Sequence, residues 1–341
     1  MEDTFRTIQS LGRKELINEL MEGDSVQKES VIKGVGDDAA VLSKNDKECT
    51  LLSSETFMEG VDFDLTYTPL NHLGYKVSSS AISDIYAMNG KPETLLVNMA
   101  LPNKLSVDMI KEIYKGIYSC GAEHGFQVVG GDLTASHQIL SISISCQGTI
   151  ENDKIVYRKG AKEGDAICVT GDLGGAIAGL RILMREKEYW EEHQQQQFQP
   201  DLDDYEYVVQ RQLVPFAQKK FIDKMEELEV LPSSMIDLTQ GLVSDLTNIT
   251  DASQIGALIY QAALPIALET RHVAEEMKED VDKYALYGGE DLEMLFTLKK
   301  DYVDALADSF SNFTVIGKIT SEYDEPVMQT GEGEMISFRE E

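Results

Sequence analysis

Hydrophobic and polar positions alternate between helical and strand-like spacing along the first 150 residues. Apolar residues at helical spacing predict helices over 5–22, 69–89 and 105–124. Apolar or alternating runs predict strands within 38–68 and over 94–101, 126–132 and 139–150. Pro69 is placed to open the second helix, and Gly125 is placed to end the third. The strands are often close enough to form hairpins, which indicates a mixed α+β domain.

The pattern restarts near residue 150. A strand, a glycine turn and a helix are predicted within 164–183. Further strands are predicted at "SSMIDL", "GALIYQA", "YGGEDLEMLFTL" and "FTVIGKI", with helices from about 241 and over 267–279. The charged, glutamine-rich stretch 183–210 is typical of a solvated helix end and a surface loop. We therefore predict two α+β domains, residues 1–150 and 151–341.

The charge balance argues against some classes of binding partner. The chain has 60 acidic and 30 basic residues and a formal charge of -30, which argues against nucleic acid and anionic membrane surfaces. No uncharged run reaches membrane-spanning length, and the N-terminus lacks the apolar centre of a signal peptide. The four dispersed cysteines indicate free thiols and make a zinc site improbable. We expect a cytoplasmic protein.

Acidic residues recur at the ends of apolar elements, often after small residues. The set is Asp38, Glu55, Asp84, Asp132, Asp237, Glu290 and Asp291. Each alone is typical of a cap or a turn. Together they favour a site for hard divalent cations, which prefer several oxygen ligands, and the hydroxyls of Ser53, Ser54 and Thr239 could add neutral oxygens. In "GVGDDAAVL", we expect Asp38 to meet Mg²⁺ and Asp37 to support the turn.

Glycine turns accompany these acids. "GGD" at 130–132, "GDLGG" at 171–175 and "GGED" at 288–291 could leave backbone N–H groups free for phosphate. None is followed by the lysine of a Walker A loop, and none fits the dinucleotide-binding fingerprint. The combination predicts nucleotide phosphates held through metal ions. Arg158 is either a direct phosphate contact or a surface charge before a turn.

Several motifs together resemble the thiamine-monophosphate kinase family. They are "GVGDDAAVL", "MEGVDFDL", "SDIYAMNGKP", "GGDLT", "RKGAKEGDAICVTGDLGGAIAGL", "MIDLTQGLVSDL" and "GGEDLEMLFT". The resemblance runs in order from about residue 5 to 320. That family belongs to the aminoimidazole ribonucleotide synthetase-like ATP-binding group. The resemblance implies a two-domain fold of that type and a homodimer whose N-terminal domains form a shared barrel.

The resemblance also implies an activity and a set of site residues. The activity is transfer of the γ-phosphoryl group of ATP to thiamine monophosphate with Mg²⁺, without a general base, since the acceptor oxygen is already anionic at neutral pH. Metal-binding positions implied by the family are Asp38, Ser53, Ser54, Glu55, Asp84, Asp132, Asp237 and Gln240. ATP-binding positions are Tyr114, Gly131, Asp132, Arg158 and Thr239. Substrate-binding positions are Asp62, Glu290 and Phe338.

Some of these positions depart from the family pattern. Glu55 and Gln240 stand where the family has Asp, Asp62 stands where it has His, and Leu133 and Leu292 replace Thr and Tyr. The family's terminal aromatic segment is short here, which leaves Phe338 as the nearby aromatic residue. Three hypotheses follow. The chain is a working thiamine-monophosphate kinase with a variant site, a related enzyme with another phosphorylated acceptor, or a catalytically weakened ATP-binding dimer.

Overall fold

The N-terminal half of the chain is built on a six-stranded mixed sheet. The computed structural model describes residues 6–23, 27–193 and 199–338. The strands are β1 (Val31–Lys33), β2 (Ala40–Ser43), β3 (Glu48–Met58), β4 (Lys91–Pro102), β5 (Gln127–Ser136) and β6 (Ser141–Glu151). Their order in the sheet is β1-β2-β3-β6-β4-β5, and only β4 and β5 pair in parallel. The predicted strand at "GVDFDLTY" is wrong, because β3 ends at Met58 and the chain turns there.

Two long helices cover one face of this sheet. The helices of this half are α1 (Ile8–Leu11), α2 (Arg13–Met21), α3 (Leu70–Ala87) and α4 (Val107–His124). The single helix predicted over 5–22 is two helices, because Gly12 has a φ of 85° and interrupts the first. A Cβ atom on Gly74 would lie 1.9 Å from the backbone oxygen of Ile113, so glycine lets α3 and α4 pack closely. The other face of the sheet is open and exposes Leu52, Leu96 and Leu133.

The C-terminal half is built on a seven-stranded sheet. Its strands are β7 (Ala166–Thr170), β8 (Ser234–Asp237), β9 (Gly256–Tyr260), β10 (Met294–Leu298), β11 (Phe313–Thr320), β12 (Pro326–Gln329) and β13 (Met335–Ser337). Their order is β13-β12-β9-β11-β7-β10-β8, and only β12 and β9 pair in parallel. The strands β7, β8 and β10 are buried along their whole length, which fits the nearly continuous apolar sequences of β7 and β10.

Seven helices accompany this second sheet in the described part of the chain. They are α5 (Gly175–Glu192), α6 (Glu206–Leu213), α7 (Lys219–Leu228), α8 (Leu242–Ser253), α9 (Leu268–Met277), α10 (Val281–Tyr287) and α11 (Lys300–Ser309). The predicted solvated helix end agrees with α5, which continues to Glu192, but the predicted surface loop within 183–210 is partly wrong, because α6 begins at Glu206. Val208 and Val209 of α6 are buried among neighbouring helices, although charged residues flank them in the sequence. Residues 194–198 lie outside the described residues.

The two halves share one hydrophobic core. Ile82 and Ile85 of α3 belong to the same buried cluster as Leu95 of β4, Phe221 of α7 and Phe296 of β10. The first sheet ends at Glu151 and the second begins at Ala166, and the domain boundary near residue 150 stays a prediction. All four cysteines are free, as predicted, and all four are buried. Within the described residues, no helix has the length and apolar character needed to cross a membrane.

Candidate active site

A cavity of about 970 Å³ lies where the first sheet and α3 face the loops of the second half. Three carboxylates from distant parts of the chain meet in its wall: Asp38 from the turn before β2, Asp84 from α3 and Asp237 from the end of β8. One oxygen atom of each lies within 4.8 Å of the others. The packing of α3 against β8 brings Asp84 and Asp237 together. Three of the acids that the sequence singles out therefore form one cluster.

Burial makes this acidic cluster electrostatically unfavourable when it is ionised. Asp84 and Asp237 are 8% and 2% exposed. Burial, followed by repulsion from Asp237, Glu55 and Asp38, raises the pKa of Asp84 well above its usual value. Burial and repulsion from Asp38 do the same to the pKa of Asp237. In the described part of the chain, Oδ2 of Asp38 and Oδ2 of Asp237 are buried without a hydrogen-bond partner. A hard divalent cation fits such an oxygen donor set.

Arg158 is the positive group that faces Asp38. Its Nη2 donates to Oδ1 of Asp38 at 2.6 Å, and its Nε donates to the same oxygen at 3.3 Å. The backbone N–H of Arg158 donates to Oδ1 of Asp37 at 3.1 Å. The prediction that Asp37 supports its own turn is therefore incomplete, because Asp37 also ties that turn to the segment joining the two sheets. Burial, and then the neighbouring Asp38, raise the pKa of Asp37 to about 6.

Thr239 and Gln240 line the cavity on the loop between β8 and α8. Their backbone N–H groups donate to Oδ2 of Asp245 at 3.2 Å and 3.0 Å. Asp245 is 1% exposed, and burial raises its pKa to about 7. The sequence analysis missed Asp245, although its place in the first turn of a predicted helix is typical of an acid that accepts from nearby backbone N–H groups.

The strand β3 and the turn after it contribute a second acidic wall. Glu55 and Asp62 line the cavity, and Oδ2 of Asp62 accepts from the N–H of Met58 at 2.7 Å. Burial raises the pKa of Glu55, and Arg13 of α2 opposes this shift. The Ser53 hydroxyl donates to the backbone oxygen of Ala81 at 3.2 Å and lies close enough to Asp84 to lower the pKa of that residue. Ser53 therefore lies beside the cluster.

Glu290 lines the same cavity and is held by two residues that the sequence analysis missed. Nζ of Lys76 lies 2.7 Å from its Oε2, and Nε2 of Gln212 donates to the same oxygen at 3.2 Å. A signal for Lys76 existed in the sequence, because it lies between Leu73 and Val77 on the predicted buried face of α3. Gln212 lies in α6, the helix that begins within the predicted surface loop and continues beyond it.

Three N–H groups of the glycine turn at 171–175, those of Gly171, Leu173 and Gly174, are already bonded within the chain. Oδ2 of Asp291 accepts from Gly174 at 2.8 Å, and Oδ1 accepts from Ala176 at 3.1 Å, so this carboxylate caps α5. Arg211 lies 3.6 Å from Asp291 and 2.7 Å from Glu293. The expectation that Asp291 belongs with the divalent-cation acids is wrong on this geometry, because its oxygens are used by the helix terminus and by Arg211.

Five of the implied positions do not reach the cavity within this chain. Ser54 points to the open face of the first sheet, where its Oγ lies 3.3 Å from Oγ of Ser145. Gly131 and Asp132 are exposed on the edge strand β5, which three inter-strand spacings, about 14 Å, separate from β3. Tyr114 packs near Tyr118 on α4. Phe338 packs against the core of the second sheet.

The chain matches a two-part family model over most of its length. Residues 36–150 match the AIR synthase related protein N-terminal domain, and residues 162–328 match the AIR synthase related protein C-terminal domain. These matches and the two-sheet architecture confirm the predicted α+β fold. The chain therefore has the architecture of the AIR synthase related proteins.

Individual relatives narrow the assignment. Thiamine-monophosphate kinase of Aquifex aeolicus (strain VF5) is 31% identical over 296 residues, which are 87% of this chain and 89% of the relative. The enzyme of the same name from Escherichia coli (strain K12) is 33% identical over 294 residues, 85% and 84% of the two chains. A solved structure described as AaThiL complexed with AMPPCP and TMP has a TM-score of 0.82 at 26% identity and covers 98% of each chain. The chain belongs to the thiamine-monophosphate kinase family.

Proposed function

We propose that this protein transfers the γ-phosphoryl group of ATP to the phosphate of thiamine monophosphate and releases ADP and thiamine diphosphate. The observation that carries the proposal is the buried cluster of Asp38, Asp84 and Asp237 in the wall of a cavity. The names of the relatives support the substrate, and the complex of a similar structure with AMPPCP and TMP supports binding of both a nucleotide and an acceptor.

The transfer needs positioning and charge neutralisation more than proton chemistry. An oxygen of the acceptor phosphate forms the new bond to the γ-phosphorus, and the bond from that phosphorus to its bridging oxygen breaks with its electron pair leaving on ADP. The acceptor oxygen is already anionic at neutral pH, so no side chain has to remove a proton from it. Mg²⁺, when bound, would neutralise phosphate charge and hold the two phosphates in line.

The chain's own residues supply the framework for this chemistry. We propose that Asp38, Asp84 and Asp237 hold Mg²⁺, with Glu55 and Gln240 nearby in the same cavity. Arg158, which donates to Asp38, and Thr239 also line the cavity and are proposed nucleotide contacts. Asp62 and Glu290 are proposed acceptor contacts, since both line the cavity.

A direct assay tests the proposed function. Purified protein is incubated with ATP, Mg²⁺ and thiamine monophosphate, and thiamine diphosphate is followed by chromatography. We expect product with the natural chain and none above background with Asp84→Asn, whose side chain keeps its shape but loses its charge. Nucleotide binding by calorimetry without any product would contradict the kinase proposal. It would favour another phosphorylated acceptor or a weakened enzyme, the alternatives that the Gln240 and Asp62 replacements raise.

We also propose a homodimer in which the partner supplies Gly131 and Asp132 to the site. The support is that these residues are exposed on the edge strand β5, beside an open sheet face with apolar residues such as Leu96 and Leu133. A shared site has a specific signature on subunit mixing. Asp84→Asn and Asp132→Asn would each be inactive, and statistical mixing would restore about a quarter of the natural activity, because half the dimers are mixed and one of their two sites is intact. Mixing without recovery would place Asp132 outside the partner's site.

A further inference from the structure

Lys76 is a buried cation in the wall of the cavity. It lies on α3 with only 5% of its side chain exposed, and its Nζ is 2.7 Å from Oε2 of Glu290. A lysine is seldom buried to this extent unless its charge is paired. The pair joins α3 of the N-terminal half to the loop that precedes β10.

Gln212 of α6 holds the same carboxylate oxygen. Its side chain is buried and donates to Oε2 of Glu290 at 3.2 Å. The backbone of Glu290 is fixed as well, because its N–H donates to the oxygen of Thr239 at 3.2 Å and its φ is 65°, in the left-handed region. The Glu290 side chain remains 38% exposed at the cavity, in contrast to Lys76. Three elements therefore orient one carboxylate that can still contact a ligand.

We propose that Lys76 and Gln212 are positioning residues that fix the Glu290 carboxylate for the acceptor. The inference rests on the proposed function and concerns the acceptor side of that same site. Because both donors converge on Oε2, the orientation of the group is set before the acceptor arrives, which reduces the ordering that binding requires. Lys76 also keeps a negative charge tolerable in a cavity that already holds several carboxylates. An oriented carboxylate of this kind fits a positively charged part of the proposed acceptor.

The test compares acceptor and nucleotide affinity in three single variants. Lys76→Met keeps the length of the side chain and removes its charge, and Gln212→Leu removes the second donor with less disturbance of folding. Lys111→Met is the matched control, since Lys111 is an exposed lysine paired with Asp108 on α4. We expect the KM and the calorimetric Kd for thiamine monophosphate to rise on the order of tenfold in Lys76→Met and about threefold in Gln212→Leu. The Kd for ATP should change less than twofold, and the control should match the natural chain.

A double-mutant cycle separates positioning from a general structural role. If Lys76 acts through Glu290, then Lys76→Met should add almost nothing in a Glu290→Gln background. Full additivity of the two changes, or equal loss of acceptor and ATP affinity, would overturn the inference. Unaltered acceptor binding in both Lys76→Met and Gln212→Leu would do so as well. Failure of the natural chain to bind or phosphorylate thiamine monophosphate is a separate result, which would remove the proposed function itself.

Discussion

Two groups of buried carboxylates differ in the partners that surround them. Asp84 and Asp237 lie in the cavity wall with Asp38, and of the three only Asp38 forms an ion pair among the residues that the structure describes, with Arg158. Asp291 and Glu293 lie next to the glycine turn at 171–175. Their oxygens are contacted by Arg211, by Thr170 and by the first N–H groups of α5. Burial raises the pKa values in both groups, yet only the first retains strong repulsion among its own members.

The comparison shows that the same sequence pattern serves two purposes. In both groups an acid lies beside an apolar strand, Asp237 at the end of β8 and Asp291 shortly before β10. The second group is satisfied within the chain, so its contribution is to hold a helix terminus and a strand together. The first group has buried oxygens without hydrogen-bond partners in the described part of the chain, so a cation would complete it.

The largest effect is expected from Asp237→Asn. We expect kcat to fall on the order of 10³-fold, equivalent to about 4 kcal/mol in the barrier, because a proposed ligand of the metal loses its charge. The metal-free protein should be at least as stable as the natural chain, since repulsion in the cavity is relieved. Steady-state rates and urea unfolding in a chelator measure the two effects. A variant that unfolds more easily in the chelator would place Asp237 in the structural group instead.

Arg211→Met should have the opposite effects, with a loss of stability and an unaltered Mg²⁺ affinity. Removing the cation leaves Asp291 and Glu293 buried and unpaired, which is expected to lower the free energy of unfolding by about 3–5 kcal/mol. The metal-binding residues are untouched, so Mg²⁺ affinity of the folded protein should be retained. Urea unfolding and Mg²⁺ calorimetry on the same sample check both statements. Arg181→Met, which removes an exposed ion pair with Glu279, is the control and should cost less than about 1 kcal/mol.

The pH dependence of the free energy of unfolding should show the contribution of Asp245. Its pKa is raised by burial from 3.8 to about 7, so the folded chain binds this proton more tightly than the unfolded chain does. The favourable contribution is full below about pH 4 and is lost as pH rises towards 7, at up to about 1.4 kcal/mol per pH unit. Asp245→Asn should therefore show a flatter decline of unfolding free energy over this window. Parallel curves for the two proteins would contradict the assignment.

The smallest effect is expected from Gln240→Asp, which adds a carboxylate to the first group. Gln240 lines the cavity, and a fourth negative charge should strengthen Mg²⁺ binding by roughly tenfold while making the metal-free protein slightly less stable. Calorimetric titration with Mg²⁺ measures the first change and thermal unfolding in a chelator measures the second. Unaltered Mg²⁺ affinity would indicate that residue 240 lies outside the coordination shell.

Local pattern was sufficient to find most of the fold and part of the site. Apolar periodicity predicted α3, α4 and α8 closely, and the recurrence of acids beside apolar runs singled out Asp84 and Asp237. The break between α1 and α2 depends on the backbone angle at Gly12. The helix α6 was not predicted, because its buried valines lie among charged residues in the sequence.

The remaining features of the site depend on contacts between distant segments. Whether an acid is satisfied is decided by partners far along the chain: Arg211 lies 80 residues before Asp291, and Arg158 lies 120 residues after Asp38. Lys76 and Gln212 can be recognised as residues of the site only from the contacts that α3 and α6 make with Glu290. Charge and spacing in the sequence cannot distinguish a cap from a ligand without those contacts.

The buried cluster that joins Ile85, Leu95, Phe221 and Phe296 also bears on how the molecule can be divided. The two regions recognised by the family models are separate in sequence, yet this cluster takes side chains from both, so each region alone would expose part of its apolar surface to water, although the second region also has a buried cluster of its own. We therefore expect the two halves to stabilise each other and to unfold together. A chimera that joins halves from two relatives would therefore have to exchange the residues of this buried cluster together.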